Sequence, residues 1–293
     1  MPVPDHHIVA EPPPFDKPPY PSDIFARQVV LVTGGGSGMG LAMAQAFAQG
    51  GASVAVVGRS LERAQEGAAT IEAIGGKTHA ISCDVRKADK VAAAFDEAER
   101  ALGPVSLLAN NAGANFPVLA EAISVNAWNA VTRIAIDGTF LCSSEFVRRR
   151  IAQGHGGAIV NNSAQYIWTG FPGDAHSAAA KTAQATMTRA MAREWAGYGI
   201  RVNAVAAGFF PHAASTRGDG NDAIEPLQNM IPAGRTGRIR EFGWLAALTC
   251  SPLFSGMTGQ VIVQDGGESL RRSLMMPDFI PPRERANGPW GWQ

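Results

Sequence analysis

Seven short apolar runs alternate with helical stretches along this chain, and that alternation restricts its fold more than any other feature. The runs are residues 29–32, 53–57, 79–82, 106–109, 158–161, 200–204 and 260–263. Most are apolar continuously rather than at every second residue, so the strands are expected to be covered on both faces. Helical patterns lie between them over residues 41–49, 60–73, 88–102, 127–153, 176–198 and 239–248. Strands and helices in this order are expected to form a parallel sheet with helices on both sides. The expected fold is α/β, a doubly wound (Rossmann) parallel sheet of seven strands in one domain over residues 25–272.

The two ends read differently. Residues 1–24 hold eight prolines, a density that blocks both helix and central strand. Three states are open to this arm: lying on the body, reaching a neighbouring subunit, or disorder. Residues 273–293 carry four prolines and two tryptophans and read as an irregular tail. Of the 293 residues 46% are hydrophobic and 17% charged, enough for a substantial core. Lys+Arg and Asp+Glu are both 25, so no global field favours nucleic acid or an anionic membrane, and neither is expected as a partner. Cys83, Cys142 and Cys250 are widely spaced and form no metal-ligand pattern, so no metal is expected; they read as reduced thiols. The first residues lack a basic segment followed by an apolar one, and no run of 18 apolar residues occurs. A cytoplasmic location is the expectation.

Thr33-Gly34-Gly35-Gly36-Ser37-Gly38-Met39-Gly40 stands between the first strand and the first helix. Gly34, Gly38 and Gly40 there allow a tight turn and close backbone approach to a pyrophosphate, which then rests on the helix N-terminus beside Ser37 and Met39. A glycine triplet alone is weak evidence; its position between strand and helix makes it a dinucleotide-site candidate. At the end of the second strand, where an NAD site usually has an acidic residue, the chain has Arg59, with Arg63 one turn on. A guanidinium binds a 2′-phosphate that a carboxylate would repel, so NADPH/NADP+ is the expected cofactor. The plainer reading of Arg59 is an ordinary surface arginine. Asp84-Val85 follows the third strand, where Asp84 is a candidate acceptor for the adenine amino group. Asn111-Ala112-Gly113 follows the fourth, where small residues admit the ribose.

These motifs, in this order over residues 27–266, resemble the short-chain dehydrogenase/reductase family. Most of its members use a Tyr-x-x-x-Lys pair with a serine and an asparagine. Lys181 matches the lysine, but Ser177 stands at the tyrosine position, Ala164 at the serine and Ala135 at the asparagine. A serine hydroxyl is a far weaker acid than a phenol, so ordinary ketone–alcohol interconversion is not supported. The departures themselves resemble the 2,4-dienoyl-CoA reductases of mitochondrial type, whose working tyrosine lies fifteen residues before the lysine. Tyr166 is fifteen before Lys181, Asn115 lies in Ala114-Asn115-Phe116, and Ser177 is four before Lys181. Asn126-Ala127-Trp128, Gly138-Thr139-Phe140 and Asp265-Gly266-Gly267-Glu268 are similar to that subfamily as well.

The resemblance implies hydride addition from NADPH to the far end of a dienoyl or enoyl thioester of fatty acid metabolism. Tyr166 and Asn115 would donate hydrogen bonds to the thioester oxygen, Ser177 would position that network, and Lys181 would hold the nicotinamide ribose. It also implies a homotetramer. The family's Pro-Gly pair after the sixth strand is Ala207-Gly208 here, Gly208 still counting toward the cofactor site, and no threonine follows in Phe209-Phe210-Pro211-His212. Two other functions stay open: an atypical carbonyl reductase or alcohol dehydrogenase with Tyr166 in a rebuilt relay, and a non-catalytic NADPH-binding protein. His176 and His212 read as hydrogen-bonded structural residues. Trp168, Phe171, Phe209 and Phe210 read either as an acyl pocket or as core.

Overall fold

The computed structural model describes residues 10–212 and 231–270. The first nine residues and the expected tail at 273–293 lie outside the described residues. The strands are β1 (Val29–Thr33), β2 (Ser53–Gly58), β3 (Thr78–Ser82), β4 (Leu107–Asn110), β5 (Gly157–Ala164), β6 (Ile200–Ala207) and β7 (Val261–Gln264). The helices are α1 (Gly38–Gln49), α2 (Leu61–Glu72), α3 (Ala88–Leu102), α4 (Val125–Thr132), α5 (Gly138–Ala152), α6 (Ala175–Trp195) and α7 (Ile239–Cys250). All strands are parallel, in the order β3-β2-β1-β4-β5-β6-β7. The order reverses between β1 and β4, and a doubly wound sheet binds ligands at that switch point, outside the carboxyl ends of its strands.

Each sheet face has its own core, as continuous apolar strands require. Val30, Val32, Val54 and Val56 pack with Phe47 and Phe242 on one side. Leu31, Leu108 and Ile159 pack with Phe95 and Phe146 on the other. On the first side α1 and α7 approach very closely. A Cβ on Gly243 would lie 2.3 Å from the Ala42 carbonyl oxygen, so only glycine permits this contact.

Two elements differ from the sequence reading in instructive ways. β5 and β6 run three residues further than apolarity suggests, pairing up to Ala164 with Ala207. The polar Asn162 and Ser163 are buried and bonded within this extension, so their polarity does not end the strand. The expected single helix over 127–153 begins at Val125 and is interrupted by a π turn over Arg133–Asp137. A π turn leaves carbonyls without their usual partner. The buried Gln184 of α6 donates to the Ala135 carbonyl (3.2 Å) and to Thr139 Oγ1 (2.7 Å), which satisfies the bulge.

From Ala10 onward the proline-rich arm lies on the body, against α1 and α7. Tyr20 is buried and donates to the Ala46 carbonyl at 2.8 Å. Phe25 is fully buried, its ring 5.1 Å from that of Phe47. Gln49 bridges the layers, donating to the Phe15 carbonyl (2.6 Å) and accepting from Trp244 Nε1 of α7 (2.9 Å). At the start of α7, Arg238 pairs with Glu11, and Arg240 donates to the Pro12 and Pro13 carbonyls.

Candidate active site

The glycine turn has the conformation that its sequence demands. Gly34 and Gly38 sit at φ +64° and +54°, where side chains are strained. A Cβ on Gly40 would lie 2.1 Å from the Gly34 carbonyl oxygen, and one on Gly36 would lie 2.4 Å from the Arg63 carbonyl oxygen. Ser37 stands at the N-cap of α1 in an extended conformation, and its side chain does not cap the helix. The first-turn N–H groups of α1, with Met39 among its opening residues, are therefore left for an anion at the positive end of the helix dipole. These features fit a dinucleotide diphosphate. His212 borders the same turn: a Cβ on Gly38 would come within 2.8 Å of its imidazole.

Thr33 locks this turn to the sheet. Its hydroxyl accepts from the backbone N–H groups of Asn111 (2.9 Å) and Ala112 (3.0 Å). The Asn111 side chain donates back to the Thr33 (3.1 Å) and Gly34 (3.2 Å) carbonyls and accepts from Asn162 (2.8 Å). Asn111 thus fixes the turn, with Ala112 and Gly113 following it at the β4 end. Thr33→Val keeps the shape but orphans two backbone donors. The expected loss is about 2–6 kcal/mol, from roughly 1–3 kcal/mol for each of the two unsatisfied groups, and urea denaturation checks it.

At the adenosine side, the Ser60 side chain caps α2 by accepting from the Arg63 N–H at 3.3 Å. Asp84, placed with Val85 after β3, is held by Arg86 in two contacts of 2.8 and 2.6 Å. Hydrogen bonding from Arg86, with the Arg59 charge adding a smaller pull, lowers the Asp84 carboxyl to about 2. Arg86, only two residues after Asp84, went unnoticed in the sequence reading. Two guanidiniums, Arg59 and Arg86, therefore stand around the carboxylate read as the adenine contact. Gly208, after β6, lies against Asp265: a Cβ there would be 2.6 Å from Asp265.

The second half of the site comes from β5 and α6. Lys181, on α6, is half-buried and donates to the Asn162 carbonyl of β5. Burial pulls its ammonium down to about 8. Tyr166 sits in the 3-10 turn Gln165–Ile167 that ends β5, and its hydroxyl lies 2.9 Å from Ser177 Oγ. Burial, against the opposing hydrogen bond from Ser177, pushes the phenol up to about 12. The Tyr166 and Phe171 rings are 6.0 Å apart, while Trp168 is exposed. Phe210 instead belongs to the core, against Phe242.

Asn115 is exposed on the loop after β4, and Asp174, just before α6, is buried with its Oδ1 unpaired among the described residues. Asp174 occupies the N-cap position of α6 yet makes no side-chain cap bond. Burial raises its carboxyl above the ordinary range, against a smaller pull from the nearby Asn115 amide. His176 is fully buried; its Nδ1 accepts from the Ser177 N–H at 2.9 Å and its ring stands edge-on to Phe116. Sequence reading placed Tyr166, Ser177, Asn115 and Lys181 here but passed over the buried Asp174, whose neighbour Gly173 accepts from the Val118 N–H of the Asn115 loop at 2.9 Å.

Among the described residues no cluster of His, Cys, Asp and Glu could hold a metal ion, and no helix is long and apolar enough to cross a membrane. The family model described as Enoyl-(Acyl carrier protein) reductase matches residues 34–269. The chain belongs to the short-chain dehydrogenase/reductase family. This short-chain dehydrogenase/reductase is 38% identical over 247 residues to a probable 2,4-dienoyl-CoA reductase [(2E)-enoyl-CoA-producing] of Bacillus subtilis, covering 83% of this chain and 97% of the relative. It is 35% identical over 251 residues to a peroxisomal 2,4-dienoyl-CoA reductase of Danio rerio, covering 85% and 83%. Among solved structures, a short chain dehydrogenase from Bacillus anthracis superposes with a TM-score of 0.76 at 38% identity, covering 84% of this chain and 98% of the other. A citronellol catabolism dehydrogenase from Pseudomonas aeruginosa also gives 0.76, at 32% identity, with 86% and 99% covered. Membership makes the chain an oxidoreductase with a nicotinamide cofactor.

Proposed function

We propose that this enzyme is an NADPH-dependent reductase of conjugated thioesters, dienoyl or enoyl, acting by conjugate addition in the cytoplasm as a homotetramer. One observation carries the reading: the Tyr166 hydroxyl lies 2.9 Å from Ser177, the helix position where most of the family has its tyrosine. A phenol from the end of β5 therefore reaches the place that the missing tyrosine vacates. The Bacillus subtilis and Danio rerio relatives, both named as 2,4-dienoyl-CoA reductases, support the substrate class.

NADPH, when bound, supplies a hydride, and the substrate carbon that receives it is not a carbonyl. Charge then develops on the thioester oxygen, and the residues are suited to receive it there. Tyr166, with its phenol pushed up to about 12, stays protonated at working pH and serves as a neutral donor. That is the opposite of a proton-transfer tyrosine, whose pKa is drawn toward neutrality. Asn115 supplies the second donor, and Ser177 orients the phenol. Lys181 would hold the nicotinamide ribose and add positive potential, and the turn from Gly34 to Gly40 would seat the diphosphate. Arg59, with Arg63 a turn further, would bind the 2′-phosphate.

The test follows NADPH oxidation by absorbance with a trans-2,trans-4-dienoyl-CoA and with a simple ketone in parallel. Turnover of the thioester alone supports conjugate reduction. Turnover of the ketone that survives Tyr166→Phe sinks it. Cofactor choice has a separate check: Arg59→Asp is expected to weaken NADPH by roughly ten- to hundredfold, the size of one charged hydrogen-bonding contact, with NADH little affected. Titration calorimetry with both nucleotides reads this, and an unchanged preference removes Arg59 from the 2′-phosphate site.

A further inference from the structure

A second concave site lies at the opposite edge of the sheet from the glycine turn. It is a cavity of about 300 Å³ at the amino ends of β4, β5 and β6, lined in part by Gln28, Ser106, Arg150, Gly157, Arg201 and Cys250. Arg150, from α5, is 7% exposed, and Arg201, the second residue of β6, is half-buried. Burial pulls both guanidiniums below their ordinary pKa, yet an arginine stays charged inside a protein. An uncompensated buried charge is costly, so such groups are normally paired. The other arginines withdrawn from solvent among the described residues obey that rule. Arg86 pairs with Asp84, Arg149 with Asp96, Glu99 and Glu145, Arg235 with Glu241, and Arg238 and Arg240 with Glu11. Arg150 and Arg201 pair with no carboxylate among the described residues, and both line this one cavity.

The hydrogen bonds of these two residues leave their charge in place. Arg201 donates to the carbonyls of Thr249 (2.7 Å), Cys250 (2.8 Å) and Ser251 (3.1 Å), which end α7, and to that of Met257 (3.2 Å). A helix C-terminus offers only about half a unit of negative charge. Arg150 donates from Nε to the Gly156 carbonyl (2.8 Å) and from Nη1 to Gln153 Oε1 (2.9 Å), and its Nη2 has no partner among the described residues. Gln153 in turn donates to Glu99 (3.3 Å), but that carboxylate is already held by Arg149 (2.8 Å). We propose that this cavity binds a tetrahedral oxyanion, a phosphate group either free or carried by a small metabolite. Nη2 of Arg150 supplies the direct charged donor, Arg201 adds positive field, and the Gln28 amide stands at the same wall. Guanidinium–phosphate bonds are among the stronger charge-assisted pairs. The site is separate from the nucleotide turn and does not rest on the reaction proposed above.

Phosphate is also a ligand for the proposed diphosphate seat, so the test uses full-length protein saturated with NADP+. Inorganic phosphate is titrated by calorimetry and by melting temperature, against sodium chloride at equal ionic strength. Saturable binding is expected, with a melting temperature that rises with phosphate and not with chloride. Arg150→Met is expected to weaken phosphate roughly tenfold or more, the worth of one charged hydrogen bond. Arg150 also supports the Gly156 carbonyl, so a second variant guards against a folding defect. Gln28→Glu brings a carboxylate to the cavity wall. It is expected to raise the melting temperature without phosphate and to abolish the response to it. Glycerol phosphate in a parallel titration separates the two sources: binding as tight as inorganic phosphate assigns a carried group, and binding of inorganic phosphate alone assigns the free ion. Absence of saturable binding overturns the proposal, as does a phosphate response that Gln28→Glu leaves intact. Acetate binding as tightly as phosphate overturns the choice of a tetrahedral anion.

Discussion

Tyr166→Phe is expected to lower kcat for a dienoyl-CoA by about 10²–10³, the usual cost of removing one oxyanion donor. NADPH affinity and melting temperature should stay near the parent values. The variant loses only a hydroxyl that bonds Ser177, and Ser177 keeps the freedom to rotate toward another acceptor. The pH profile separates the two roles open to a phenol. A general acid would leave a limb in the rate profile at its own ionisation. A donor held up to about 12 leaves none in the working range, so the wild-type profile should carry no tyrosine limb. Stopped-flow measurement of NADPH oxidation at several pH values reads both. A tyrosine limb near neutrality would contradict the donor role.

Lys181→Met is expected to move stability and function in opposite directions. The folded protein draws the ammonium down to about 8 from an ordinary 10.5, chiefly by burial. Below about 8 both folded and unfolded chains carry the proton, and folding bears the cost of burying it. Between about 8 and 10.5 the unfolded chain binds more protons than the folded one, so stability rises with pH across that window. The methionine variant lacks the rise. At neutral pH it should be more stable by about 1–2 kcal/mol, after discounting the shift for partial exposure. Its NADPH affinity should fall by roughly ten- to hundredfold, the worth of a charged hydrogen bond. Urea denaturation at pH 7 and at pH 10, with titration of NADPH, checks both. A variant less stable at neutral pH would show that the Asn162 carbonyl bond outweighs the desolvation.

The parts of this molecule that were legible in the sequence are those whose cause is local. Helix α3 begins and ends where its pattern does, Ala88 to Leu102, because Val91, Ala94, Phe95 and Ala98 form one buried stripe. The glycine turn was legible because part of its demand is local: Gly34 and Gly38 take positive φ, and Gly40 packs on the Gly34 carbonyl. The π turn was not, since the residue that makes it tolerable, Gln184, arrives from another helix. The same holds at the site. Tyr166 and Ser177 could be paired by spacing to Lys181, but the buried Asp174 comes beside the loop of Asn115 and Val118 only in the fold. Arg86 is the exception: it stands two residues from Asp84, yet its grip on that carboxylate is seen only in the folded turn. Polar residues inside a strand were the remaining blind spot: Asn162 and Ser163 look like a strand end and are in fact interior.

The way the arm is seated bears on where this protein can be cut. The family match begins at Gly34, but a cut there would remove β1; a chain trimmed just before β1, near Gln28, would retain the glycine turn and every candidate active-site residue. It would also lose Tyr20 and Phe25, baring the surface of α1 that carries Ala46 and Phe47. That surface is apolar and belongs to α1, the helix whose first turn we propose as the diphosphate seat. A shortened version would therefore present a sticky flank beside the candidate site, and is expected to aggregate. The boundary of evolutionary likeness and the boundary of the self-sufficient folding unit are different places in this chain, and the second lies nearer the N-terminus.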